Sequence, residues 1–218
     1  MKNILGQSIG KNGAMLGLFA VLTTGVIAAT YLSTRDQVRD NIRAAEEKAL
    51  LDIIPRQRHD NDMLEDSITV DNSELLGLRE AKLRYLATRE GEPVAVILPA
   101  TARDGYTGDI DLIVGINVDG SVAGVRVLSH RETPGLGDQV DYKKSQWVDS
   151  FKGKSLEQPP VEQWTVKKDG GVFDQFTGAT ITPRAVTAAV RRTLQYFDAH
   201  RDQLLGKMAT DQQEQTHE

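Results

Sequence analysis

Asp174-Gln175-Phe176-Thr177-Gly178-Ala179-Thr180-Ile181-Thr182-Pro183 runs into a helix start. Thr182 offers a hydroxyl that can accept an orphan backbone N–H, and the fixed φ of Pro183 suits the first helical position. Val186, Val190, Leu194 and Phe197 then recur at helical spacing, Arg191, Arg192 and Gln195 fall on the polar side, and Gly206 offers a stop. Thr180 therefore stands just ahead of a helix N-terminus, where free amides and the macrodipole favour an anion such as a phosphate. Gly178 and Ala179 keep bulk away from its hydroxyl. Small residues before a capped helix are also an ordinary way to begin one, so spacing alone leaves both readings open.

Upstream of this run the chain reads as α+β. Leu83 to Thr88 and Val94 to Leu98, separated by Glu90-Gly91-Glu92-Pro93, predict two strands and a turn, with a short helix over Leu75 to Lys82 before them. Ile110, Leu112, Val114 and Ile116 alternate with Asp111, Ile113 and Gly115, and Asp119-Gly120 turns into Val122, Val125 and Val127. That hairpin is expected to pack one face on a core. A short helix is predicted over Lys144 to Phe151, with Trp147 and Phe151 as an apolar packing pair. A second hairpin is predicted from Gln163-Trp164-Thr165-Val166 to Val172-Phe173, around Lys168-Asp169-Gly170-Gly171. Gly105-Tyr106-Thr107-Gly108 and His130-Arg131-Glu132-Thr133-Pro134-Gly135-Leu136-Gly137 are loops in which glycines let backbone pass close to something flat or charged.

The N-terminal part is of another kind. No charged residue occurs between Lys11 and Arg35, and about 20 residues at about 1.5 Å each span a bilayer core of about 30 Å. Residues 13–33 are thus predicted to form one transmembrane helix after a short tail, 1–12. A cleaved signal peptide is the competing reading; the length of the apolar run and the lack of A-x-A spacing among Ala14, Ala20, Ala28 and Ala29 favour an uncleaved anchor. Val38, Ile42, Ala45, Ala49 and Ile53 continue one helical face over 34–55 as a stalk or a docking surface, until Pro55 stops it. Residues 56–66 read as a solvated linker, 67–206 as the folded domain and 207–218 as a polar tail.

Composition excludes several classes. The 218 residues carry a formal net charge of -5, which gives no electrostatic footprint for nucleic acid. There is no cysteine, so disulfides, thiolate nucleophiles and Cys-ligated clusters are absent. His59, His130, His200 and His217 are scattered without ligand spacing, and no metal site is expected. Arg35, Arg39, Arg43 and Lys48 after the span outnumber Lys2 and Lys11 before it, a count that would put the C-terminal side in the cytoplasm.

Asp174 to Thr180 resembles the D-x-x-(S/T)-G-A-T motif at which a flavin transferase attaches FMN to a threonine through a phosphoester bond; Thr177 stands where serine is often found. The resemblance makes Thr180 the acceptor and Thr177, Gly178 and Ala179 its pocket. Together with the anchor, the stalk and the two glycine-bearing loops, the whole chain resembles the FMN-binding G-type subunit of the Rnf electron transport complex. The sister family, the C-type subunit of the sodium-translocating NADH:quinone reductase, shares the anchor, domain and motif; the compact length and the Lys11-Asn12-Gly13 entry look more like the Rnf protein.

That resemblance implies a single N-terminal transmembrane helix and helical stalk followed by one FMN-binding domain with an antiparallel sheet and packed helices. It further implies a single-pass protein of the bacterial inner membrane, with its C-terminal domain on the periplasmic side, against the count of basic residues. Membrane and iron–sulfur subunits of the complex and a flavin transferase would be its partners. Electrons would be relayed between ferredoxin and NAD with coupled ion movement. Glu132, Thr133, Gly135 and Leu136 are expected to contact the cofactor. Simple electron transfer needs no acid–base catalyst, and none is assigned. A reversible flavin- or ligand-binding sensor and a purely structural subunit are the readings from other classes.

Overall fold

The computed structural model describes residues 2–71 and 74–206, with side chains from residue 11 onward. The predicted tail after residue 206 lies outside the described residues. Contacts divide the chain into two units at Glu46/Glu47.

The first unit is helical from Lys2 onward. Helix α1 (Lys2–Ile53) begins ahead of the predicted span, so the short segment before it is helical too. From Lys11 it is long and apolar enough to cross a membrane, with none of its most apolar window buried. Leu16, Phe19, Leu22, Val26 and Ile27 all stand more than half exposed. The hydroxyls of Thr23 and Thr30 donate to the Phe19 and Val26 carbonyls, each at 2.9 Å. Polar side chains satisfied by their own helix suit a surrounding that offers no water.

The second unit begins with the last turns of α1, where Leu50 and Ile53 are buried, as is Ile54 directly after the helix. Residues 56–66 differ from a solvated linker: His59 and Met63 are buried, and Asn61 ties this segment to the sheet. The Asn61 carboxamide donates to the Leu86 carbonyl at 2.8 Å and accepts the Thr88 N–H at 2.9 Å.

Five strands follow, each antiparallel to the one before it: β1 (Ser67–Val70), β2 (Lys82–Arg89), β3 (Glu92–Ala102), β4 (Ile110–Asn117) and β5 (Val122–Ser129). The β2–β3 hairpin turns on Glu90 and Gly91 alone, both at positive φ (56° and 82°), so Pro93 belongs to β3, opposite Thr88. The β4–β5 hairpin forms at Asp119-Gly120 as predicted. The helix predicted over Leu75 to Lys82 does not form. Gly77 turns at φ +67°, so close to β3 that a Cβ would stand 2.2 Å from the Thr101 carbonyl oxygen, and Lys82 opens β2.

Both faces of the sheet are covered, where alternation had predicted one. Ile110, Leu112, Val114 and Ile116 share a core with Val186, Val190, Leu194 and Phe197 of helix α2 (Ile181–Leu204). Ile113, Ile97 and Ala95 face the other way, onto Leu50, Ile53 and Ile54. The end of α1 supplies the second layer.

Between β5 and α2 the chain folds as short 3-10 turns at Gly137–Val140, Trp147–Phe151, Val161–Gln163 and Lys167–Asp169. No hairpin forms at 163–173. Gly170 takes a left-handed conformation, and a Cβ on Gly171 would fall 1.9 Å from the Thr165 carbonyl oxygen, so the backbone doubles back too tightly for a ladder. Trp164, Val166 and Phe173 are all buried as a result. Phe151 stacks on Trp164 at 6.1 Å and meets Trp147 edge-on at 5.1 Å, the predicted packing pair. The fold is α+β.

Candidate functional site

Phe176 extends the aromatic cluster into the run that precedes α2. It is buried and sits edge-to-face on Trp147 at 5.1 Å. The Trp147 indole N–H donates to the Asp174 carbonyl at 2.8 Å, and the Asp174 carboxylate pairs with Lys167 at 2.6 Å. One turn into α2, Arg184 forms a two-pronged bond to Asp169 at 2.6 and 3.0 Å. That hydrogen bonding holds the Asp169 carboxyl below its ordinary range and the Arg184 guanidinium above its own. Anchored on both sides, the backbone turns through Thr177 and Gly178, with the Ala179 N–H on the Phe176 carbonyl at 3.1 Å and Gly178 at φ +81°.

Thr180 is the N-cap of α2, and the helix starts earlier than the Thr182-Pro183 signal predicted. Its carbonyl accepts the Arg184 N–H at 3.3 Å, but its side chain makes no capping bond. Pro183 has no N–H, so Ile181 and Thr182 carry the amides of the first turn that lack an acceptor within the helix. The Thr182 hydroxyl, predicted as the cap, is buried and donates instead to Glu132 Oε2.

These residues form one wall of a cleft of about 470 Å³, lined by Gly178, Ala179, Thr180, Ile181 and Thr182. Glu132, Thr133, Leu136 and Gly137 make the second wall, and Tyr106 closes it from the loop between β3 and β4. The Thr133 carbonyl gathers the Leu136 and Gly137 amides, each at 3.1 Å, which curls the second wall inward. The walls meet where Leu136 Cδ2 lies 3.4 Å from the position a Cβ on Gly178 would take.

Thr180, Gly178, Ala179, Glu132, Thr133 and Leu136 thus come together in one cleft. Thr177 and Gly135 are exposed and do not line the cleft. Gly135 turns at φ +77° and gives its N–H to Asp138 Oδ1 at 2.8 Å, so it shapes the loop from outside. Tyr106, Gly137, Ile181 and Thr182 line the cleft although the sequence did not point to them as its residues. Tyr106 and Gly137 belong to the two glycine-bearing loops, a signal that could have found them; the pattern around Thr182 announces only a cap.

The lining fits a flavin mononucleotide. Tyr106, Leu136 and Ile181 leave large apolar surfaces open to a flat ring, being 67%, 42% and 42% exposed. At the other end stand a hydroxyl and an uncapped helix N-terminus, which suit a phosphoryl group. The lining includes no lysine or arginine, so an anion there would be met by uncharged donors, the first-turn amides and the hydroxyls of the lining.

Comparison with known proteins gives the same class. Residues 105–195, which hold both walls of the cleft, match the family model of the FMN-binding domain, so fold and site define an FMN-binding domain protein. Residues 1–53 match the model of the RnfG N-terminal region. Three relatives are named as the G subunit of an ion-translocating oxidoreductase complex. That of Shewanella loihica is 47% identical over 93% of this chain and 96% of its own. That of Vibrio vulnificus is 46% identical over 92% and 95%, and that of Pseudomonas aeruginosa 46% over 91% and 93%. The chain belongs to the family of G subunits of ion-translocating oxidoreductase complexes, the Rnf family that its motifs resembled.

Proposed function

We propose that this chain is the membrane-anchored flavoprotein subunit of an Rnf-type complex, carrying FMN through a phosphoester bond to the Thr180 hydroxyl. The observation that carries the reading is the position of Thr180: at the uncapped start of α2, within a cleft whose other wall is the Glu132–Gly137 loop. A flavin held there supplies one- or two-electron transfer, and the chain's task is to bind it, orient it and leave it accessible. Thr180 fixes the phosphate end, and the first-turn amides of α2 neutralise its charge. Leu136, Ile181 and Tyr106 hold the ring end by apolar contact, and Thr133 is placed to hydrogen-bond it.

Residues 13–33 span the membrane and the following stretch of helix links the span to the domain. The domain faces the periplasm, where covalent attachment prevents loss of the cofactor. Family membership supports this side against the basic-residue count, because a large C-terminal domain can be translocated regardless of flanking charge. A flavin transferase modifies Thr180, and membrane and iron–sulfur subunits exchange electrons with the bound flavin as ferredoxin and NAD oxidoreduction is coupled to ion movement.

Intact mass and in-gel fluorescence of the denatured chain, coexpressed with a flavin transferase, test the attachment. Wild type should carry an FMN mass increment and fluoresce, and Thr180→Ala should do neither. A fluorescent Thr180→Ala chain would move the attachment elsewhere. An unmodified wild type would leave a sensor, if the native protein binds flavin reversibly, or a structural subunit.

A further inference from the structure

Glu132 lies where the walls of the cleft meet α2. Its side chain is buried, at 4% exposed, and among the described residues no lysine or arginine pairs with it. A buried carboxylate without a cation persists only if its oxygens are hydrogen-bonded. Oε1 accepts the Thr107 N–H at 3.0 Å and lies 3.2 Å from the Thr107 hydroxyl, which itself donates to the Arg131 carbonyl at 2.6 Å. Oε2 accepts from Thr182. Glycines make room for the group on two sides. A Cβ on Gly137 would stand 2.8 Å from Oε2 and 2.7 Å from Thr182 Oγ1, and one on Gly105 would stand 3.0 Å from Oε1.

The contact between Thr182 and Glu132 fixes the first turn of α2. A helix of 24 residues starts with Thr180 and Thr182 close to its first turn, yet no side chain caps it. Thr182 is turned toward Glu132, and the first-turn amides are left for another acceptor. We infer that Glu132 is a positioning residue of the flavin site. Through the Thr182 hydroxyl it ties the first turn of α2, which follows Thr180, to the Glu132–Gly137 wall of the cleft. Through Thr107 it also fixes the 105–108 loop, and with it Tyr106, as the far side of the cleft. With its oxygens occupied by these protein donors, Glu132 acts on the cofactor through Thr107, Thr182 and its own negative charge. This role rests on the Thr180 attachment reading.

The test uses the full-length chain coexpressed with a flavin transferase, scored by modified fraction at limiting transferase, by melting temperature and by the midpoint potential of the bound flavin. Glu132→Ala and Thr182→Val should each slow modification about tenfold, the consequence of losing one buried hydrogen-bonded partner. Glu132→Gln keeps the shape and should modify within about threefold of wild type. Its potential should rise, because a negative charge that disfavours the electron-rich flavin has gone. A folded Glu132→Ala chain with wild-type rate and potential overturns the role. If Glu132→Ala does not fold, Glu132→Gln decides: an unshifted potential overturns the role as well. An unmodified wild type defeats the attachment reading and this role with it, whereas a modified wild type with unaltered variants defeats this role alone.

Discussion

Gly115 of β4 faces Ile53 of α1 so closely that a Cβ added to the glycine would stand 2.2 Å from Ile53 Cγ2. The sheet therefore carries a gap in its own side chains at this point, and α1 fills it. Gly115→Ala should destabilise the domain by about 1–3 kcal/mol, the range for overpacking a core. The penalty should shrink in an Ile53→Ala background, where the clashing methyl is gone. Denaturant unfolding of the full chain in detergent, as a double-mutant cycle, gives the coupling; equal penalties in both backgrounds would mean that the two residues do not touch.

Phe151 is fully buried among Trp164, Phe173 and Trp147, the last of which bears on Phe176. Phe151→Ala should cost about 3–5 kcal/mol. Tryptophan fluorescence should change with it, because both indoles lose an aromatic neighbour. Modification of Thr180 should also fall, since Phe176 is the anchor of the run that presents it. A variant with a lowered melting temperature but an unchanged rate of flavin attachment would show that the motif holds its shape without this cluster.

Leu136 is partly exposed at the mouth of the cleft, and a surface change there should leave stability within about 0.5 kcal/mol. Leu136→Asp should still shift the absorbance or potential of the bound flavin, by placing a charge where an apolar contact stood. Unchanged spectra and potential would remove Leu136 from the ring's surroundings.

Asp111 gathers bonds from three other strands: Lys82 Nζ at 2.8 Å, the Thr101 hydroxyl at 2.7 Å and the Ser129 hydroxyl at 3.2 Å. Burial pushes its carboxyl up, but the hydrogen bonds from Lys82 and Thr101 and the Lys82 charge outweigh it, and the net shift is downward. A carboxyl lowered in the folded state stabilises at pH values above its unfolded value, about 3.9, and that contribution fades as pH falls through the lower folded value. Between pH 5 and about 3 the melting temperature of wild type should fall more steeply than that of Asp111→Asn. Parallel curves would show that the group carries no linkage.

Much of this architecture is legible in the sequence because it is written in periodicity. Ile110, Leu112, Val114 and Ile116 alternate, Val186, Val190, Leu194 and Phe197 recur at helical spacing, and each set is buried. What periodicity does not encode is which neighbour covers a face. Ile113 and Gly115 look like the open side of a hairpin because nothing local announces that Ile53 will lie against them. The 163–173 segment misleads for a related reason: Trp164, Val166 and Phe173 have strand-like chemistry, but Gly170 and Gly171 close the backbone more sharply than a ladder allows. At the site, the motif points to Thr180, Gly178 and Ala179, whereas local pattern gives Thr182 the wrong partner. A hydroxyl beside a helix start predicts a cap until a buried carboxylate from 50 residues upstream competes for it.

Because every strand pairs with the one before it, the sheet draws its pairings from neighbours in sequence. The cleft does not. One wall comes from the loop after β5, and the other exists only once residues 178–182 and the helix behind them have arrived. A chain cut before residue 178 would lose the apolar cover that α2 lays over Val114 and Leu112 and would lack the Thr180 hydroxyl. On the proposed attachment, Thr180 would report on completeness: only a chain in which α2 has closed over the sheet would have a place to receive the flavin.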